Sequence, residues 1–139
     1  LSLRIERHCS NAIQVAEFLS KHNKVSKVIF AGIEEGIASE RSKKYLNGGY
    51  GALIGFELKG GKQGGQKFIE SLNMLYHVAN IGDSRSLAIH PATTTHSQLS
   101  DVDMEAAGVS PSYVRLSIGI EHKDDIISDI SNALDAVRS

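Results

Sequence analysis

The chain has 139 residues, 15 Lys and Arg against 16 Asp and Glu, and 41% hydrophobic residues. That size suits one domain, which buries roughly two-thirds of its unfolded surface and so needs neither disulfide nor metal to hold a core. A net charge of −1 leaves no basic excess for phosphates, which argues against nucleic acid as a partner, and no apolar run approaches the ~20 residues of a membrane span.

Residues 3–22 predict an amphipathic helix. Ile5, Cys9, Ala12, Ile13, Ala16 and Leu19 recur at three- and four-residue spacing and make one stripe. The charged Arg4 and Glu6 exclude a signal peptide at the start. The chain opens without Met, directly into a helical pattern, as expected of a piece of a longer protein. Cys9 is the single cysteine, which rules out an intrachain disulfide and suits a reducing, cytoplasmic setting.

Val25–Phe30 is rich in β-branched residues and predicts a strand. Gly32–Ala38 reads as a loop and Ser39–Leu46 as a short helix stopped by Asn47-Gly48-Gly49. Tyr50–Leu58 predicts a stronger strand. Ala52, Ile54, Phe56 and Leu58 share one face, and Gly51, Leu53, Gly55 and Glu57 share the other. Two glycines on one face imply close approach of another group.

Lys59–Gly65 is a glycine-rich connector. It lacks the order of a phosphate-binding loop and reads as a flexible turn. Phe68, Ile69, Leu72 and Leu75 mark a second helix, His77–Ile81 a short strand, and Gly82-Asp83-Ser84 a turn. Leu87–His90 is a short apolar run ended by Pro91, and Thr93–Ser97 a polar loop. Ser100 and Asp103 resemble a capping box that opens a short helix ending at Gly108. Tyr113–Ile120 is the clearest strand, with Val114, Leu116, Ile118 and Ile120 on one face and Arg115, Ser117 and Gly119 on the other. Asp124 is expected to cap a last helix, with Ile126, Ile127, Ile130, Ala133, Leu134 and Val137 on its stripe.

Long striped helices need one sheet face to pack against. The order therefore predicts an α+β two-layer sandwich, mostly antiparallel, with helices on one side. The opposite face carries Arg115, Ser117, Gly51 and Gly55 and is free for solvent, a ligand or another domain.

His90 and His96, with Asp83 and Asp101 near in sequence, match no metal-ligand spacing, so no metal is expected. A Ser86–His90–Asp83 triad lacks any nucleophile elbow. These polar residues read as groups that satisfy a folded loop. Arg115 is more informative. An arginine on a rigid strand with room around it can form a bidentate fork to a carboxylate; a structural ion pair is the competing reading.

Two long motifs add to this. Asn80-Ile81-Gly82-Asp83-Ser84-Arg85-Ser86-Leu87-Ala88-Ile89-His90-Pro91-Ala92-Thr93-Thr94-Thr95-His96-Ser97 is one, and Val114-Arg115-Leu116-Ser117-Ile118-Gly119-Ile120-Glu121 before Asp124-Asp125-Ile126 is the other. With Arg4, Arg7-His8 and Lys44-Tyr45-Leu46, the chain resembles, nearly end to end, the C-terminal domain of the O-acetylhomoserine sulfhydrylase branch of the Cys/Met-metabolism family of pyridoxal-phosphate enzymes. The resemblance implies the small C-terminal domain of a fold-type I enzyme. Residues 1–139 would then close over the substrate, and a large domain outside this chain would carry the pyridoxal phosphate and its lysine. It implies that Arg115 binds the substrate α-carboxylate and that Asn80 helps, where cystathionine-type relatives have serine. It sets Ser86, Thr95 and His96 in an active-site-facing loop, without catalytic steps. No lysine here sits in a recognisable cofactor motif. The implied full reaction joins O-acetylhomoserine and sulfide into homocysteine, in a cytoplasmic homotetramer, within methionine biosynthesis. A cystathionine synthase or γ-lyase relative, and a freestanding α+β ligand-binding module, are the alternatives.

Overall fold

The computed structural model describes residues 1–138. Its helices are α1 (Ser2–Ser20), α2 (Gly36–Tyr45), α3 (Gly61–Ser71), α4 (Asp101–Ala106) and α5 (Lys123–Ala136). Its strands are β1 (Val25–Ile29), β2 (Leu53–Leu58), β3 (Tyr76–His77), β4 (Leu87–Ile89) and β5 (Tyr113–Ser117). The five strands form one sheet in the order β1-β2-β5-β4-β3. Three pairings are antiparallel; β3 and β4 run parallel. Helices α1, α3 and α5 pack together against the sheet, so the expected α+β sandwich stands.

Alternation on β2 and β5 builds the layer between them. Ile54, Phe56 and Leu58 from β2, with Val114 and Leu116 from β5, are all buried in one cluster with Ala12, Ala16 and Leu19 of α1 and Ile126, Ile130 and Leu134 of α5. Phe56 and Phe68 meet edge to face at 5.3 Å, a geometry that adds about 0.5–1.5 kcal/mol beyond burial. Leu87, Ile89 and Met104 are buried outside this cluster. Leu87 and Ile89 register with Ser117 and Arg115, so the sheet's second face is covered at that end.

Several elements differ from the sequence expectation. The glycine-rich 61–65 stretch is the first turn of α3 rather than a connector, and α3 stops at Ser71. The cause is packing. Gly64 and Gly65 are buried, and a side chain at Gly65 would collide with the His90 ring. Leu75 stays buried beyond the helix because the buried carboxylate of Asp129 accepts from the N–H groups of Asn73, Met74 and Leu75 at 2.9–3.1 Å. That capped loop replaces the last helical turn.

The α1 stripe is rotated. Ile5 is exposed, while His8 and Asn11 are buried. The cap of α5 is His122, whose Nδ1 accepts from the Asp124 N–H at 3.4 Å, so Asp124 lies inside the first turn. Ile120 leaves the sheet and is exposed. The Ser100 cap is as expected, accepting from the Asp103 N–H at 3.2 Å. Among the described residues no helix is long and apolar enough to cross a membrane.

Candidate functional site

The second sheet face is set by register. Arg115 lies opposite Gly55 on β2 and Ile89 on β4. Gly55 has no side chain because the Tyr113 ring occupies the space a Cβ would need. This is the close approach that the glycines foretell, although at Gly51 no atom comes near and the need is instead a backbone φ of +79°. Burial pushes the Tyr113 hydroxyl pKa up, which keeps it neutral beside Arg115.

Arg115 is the unusual group. Its Nη2 donates to the main-chain oxygen of Asn80 at 3.4 Å. Its Nε is buried and has no hydrogen-bond partner. No carboxylate among the described residues pairs with it, so the competing structural ion pair is not formed. A buried donor left unpaired costs about 1–3 kcal/mol. A carboxylate accepting from Nε–H and Nη–H together would remove that cost through a bidentate fork.

Asn80 is exposed beside this group. Its Oδ1 accepts from the Ile81 N–H at 2.9 Å, and its Nδ2 has no partner among the described residues. The amide is thus held by its oxygen with its donor end free. Near Arg115, Gly82 N–H donates to Ser117 Oγ at 3.3 Å. A cavity of about 210 Å³ opens beside Ser117, lined by Arg4, His8, Leu53, Ile81 and Gly82 among others.

The other expected residues make their hydrogen bonds with groups other than Arg115 and Asn80. Ser86 is fully buried. Its N–H and hydroxyl donate to the two oxygens of Glu121 at 2.6 and 2.9 Å. Thr95 Oγ1 and His96 Nδ1 bond each other at 2.9 Å, with no bond to Arg115 or Asn80. His90 is buried with both ring nitrogens engaged. Pro111 O can only accept, at 2.8 Å, so Nε2 carries the proton and Nδ1 faces Thr93 Oγ1 at 3.0 Å. Burial lowers the His90 pKa and keeps the ring neutral. Asp83 is held by Arg85, whose guanidinium and backbone N–H lower its pKa to about 2. The Asp101 side chain lies outside the described residues. No cluster of metal-type ligands occurs among those described.

Sequence reasoning missed His8, Asn11 and Glu121 as a set. His8 Nδ1–H donates to Ile118 O at 2.6 Å, and Asn11 Nδ2 donates to Gly119 O and Glu121 O at 3.1 and 2.9 Å. His8 and Asn11 grip the chain just after β5, and Glu121 in that segment ties it to Ser86. The one available signal was polar residues interrupting a helical stripe.

Arg115 thus presents an unpaired buried donor next to Asn80, whose amide nitrogen is unpaired among the described residues. Residues 1–135 match the family described as Cys/Met metabolism PLP-dependent enzyme. The chain belongs to that family. It is 50% identical over 135 residues to the O-acetyl-L-homoserine sulfhydrylase of Leptospira meyeri, covering 96% of this chain and 30% of that protein. It is 50% identical over 137 residues to the enzyme of the same name from Corynebacterium glutamicum, covering 99% and 31%. Among solved structures it resembles a putative O-acetylhomoserine (thiol)-lyase from Campylobacter jejuni that carries a pyridoxyl-lysine monophosphate. There the TM-score is 0.88 at 37% identity, over 96% of this chain and 32% of that one. The chain spans about a third of the length of the relatives it matches.

The family is defined by pyridoxal-phosphate dependence. Arg115 Nε, a buried cationic donor lacking an acceptor, is chemically suited to an anionic group such as a carboxylate.

Proposed function

We propose that this chain is the C-terminal, substrate-closing domain of a pyridoxal-phosphate-dependent O-acetylhomoserine sulfhydrylase. The observation that carries the reading is the unpartnered, buried Nε of Arg115 on a rigid strand. Relatives at about half identity bear that enzyme name, and one at 45% is a homocysteine synthase from Schizosaccharomyces pombe.

In the reaction the Cγ–O bond of O-acetylhomoserine breaks, acetate leaves, and sulfide forms the new C–S bond of homocysteine. Pyridoxal phosphate, when bound, supplies the electron sink. On this reading its lysine and most of its phosphate contacts belong to sequence outside this chain. Arg115 takes the α-carboxylate through Nε–H and Nη–H. Asn80 Nδ2 donates to the same carboxylate. Two anchors fix the substrate's rotation and so aim its Cα–H, which is the positioning that speeds an otherwise bimolecular step. Ser86, Thr95 and His96 belong to the loop that borders the site. The full protein is read as a cytoplasmic homotetramer of methionine biosynthesis.

A second reading, a γ-lyase, has one observation in its favour: 41% identity to an L-methionine gamma-lyase of Fusobacterium nucleatum. The complete protein, loaded with pyridoxal phosphate, separates them. Homocysteine formed from O-acetylhomoserine and sulfide supports the sulfhydrylase. A 2-oxo acid and thiol released from methionine, without that synthesis, overturns it in favour of the lyase.

A further inference from the structure

Residues 80–86 run beside residues 115–121 without being a strand, yet hydrogen bonds link them at every second or third position. Arg115 Nη2 reaches Asn80 O, and Gly82 N–H reaches Ser117 Oγ. Ile120 N–H donates to Ser84 O at 2.9 Å. The far end is the tightest. Both Glu121 carboxylate oxygens accept from Ser86, at 2.6 and 2.9 Å, and Ser86 Oγ in turn accepts from Gly119 N–H at 2.8 Å. Gly119 must be glycine, because a Cβ there would collide with Glu121 Oε2, Ser84 O and the Arg85 backbone. The carbonyls of Ile118, Gly119 and Glu121 accept from His8 and Asn11.

The two segments carry the two halves of the carboxylate site. Asn80 lies at the start of one and Arg115 at the start of the other. Nothing else among the described residues bonds Asn80 to Arg115 except the long 3.4 Å contact through the Asn80 carbonyl. Their relative placement is set by the β3–β4–β5 pairing on either side of the segment and by the bonds further along it, of which the charge-assisted one from Ser86 N–H to Glu121, at 2.6 Å, is the shortest.

We infer that Glu121 and Ser86 form a positioning pair that sets the spacing between Asn80 and Arg115, and thereby the affinity for the amino-acid substrate. The inference rests on the carboxylate reading of Arg115. Neither residue touches the substrate. Glu121 acts by closing Ser86 onto the end of β5, and Ser86 transmits this by handing its hydroxyl to Glu121 while accepting from Gly119.

The test uses the complete, cofactor-loaded protein. Ser86→Ala keeps the backbone N–H bond and loses the hydroxyl; Ser86→Thr restores it. Glu121→Ala removes both acceptors; Glu121→Gln keeps one. Ser86→Ala and Glu121→Ala should raise KM for the amino-acid substrate about tenfold, with kcat and the KM for sulfide changed less than about twofold. Ser86→Thr and Glu121→Gln should recover most of the loss. Calorimetric binding of an unreactive amino acid should weaken by the same factor. In an Arg115→Ala background the Ser86→Ala effect should vanish, which general loosening of the fold would not do. If Arg115→Ala itself leaves KM unchanged, the carboxylate reading fails and this inference falls with it. If Arg115→Ala raises KM but the folded Ser86→Ala protein binds substrate as the wild type does, with Glu121→Ala the same where it folds, or if Ser86→Ala costs as much in the Arg115→Ala background as in the wild type, the positioning role alone is overturned.

Discussion

Arg115 stands directly across from Gly55 in the β2–β5 register, and the Tyr113 ring lies over that glycine where a side chain would otherwise compete. The guanidinium therefore projects from a paired strand, with Nε already desolvated. Arg115→Ala in the complete protein should cost about 2–3 kcal/mol of amino-acid binding, the value of a charge-assisted fork. Arg115→Lys keeps the charge but loses the planar fork and should recover only part. Steady-state kinetics with each substrate varied in turn checks this, and sulfide affinity should stay near wild type.

Asn80 offers a sharper contrast. Its oxygen is engaged by the Ile81 N–H, so its amide nitrogen is the end that can meet a carboxylate. Asn80→Asp puts an anion beside an anion and should hurt substrate binding more than Asn80→Ser, which keeps a hydroxyl donor. Equal KM values for the two variants would remove Asn80 from the carboxylate's contacts.

The α5 stripe and the β2 and β5 alternation were legible because each obeys one period, and Ile126, Ile130 and Leu134 are buried as that period requires. Arg115 was legible too, as a charge on a face of small residues. The α1 face was not. His8 and Asn11 pay no penalty for burial because carbonyls 108–110 residues away accept from them, and no local pattern carries that information. The same holds for Glu121 and Ser86, separated by 35 residues. The helical start at 61–65 was hidden for the opposite reason. Glycine disfavours a helix locally, by ~1 kcal/mol per residue, and the fold accepts this so that His90 and Val137 can pack close to α3.

His90 gives the chain a pH-dependent stability. Burial holds its folded pKa below the ordinary value of 6.5. Between the folded and unfolded pKa the unfolded chain binds the extra proton, so stability is complete above about pH 6.5 and falls as pH drops below it. The loss ends only when pH passes the folded pKa. His90→Gln removes the titration. The difference in Tm between wild type and His90→Gln should therefore shift against the wild type as pH is lowered from 7.5 to 5. Thermal melts across that range measure it, and a constant difference would mean that His90 titrates alike in the folded and unfolded chain.

The isolated chain tests the division of labour. Its cluster joins α1, α3 and α5 to the sheet, so it should unfold in one cooperative transition in urea. Phe68 is fully buried against Phe56, and Phe68→Ala should lower stability by about 3–5 kcal/mol. Catalysis should nonetheless be absent. The cofactor needs a lysine amine activated in its own pocket, and the proposed reading assigns that pocket to sequence outside this chain. Arg115 and Asn80 alone would then offer half a site, where an anion gains little after ordering and desolvation. Mixed with pyridoxal phosphate, O-acetylhomoserine and sulfide, the chain should form no homocysteine above background, and mass mapping should find only slow, scattered lysine labelling. Stoichiometric labelling of one lysine, with turnover lost on its replacement, would instead put a complete active site within these 139 residues.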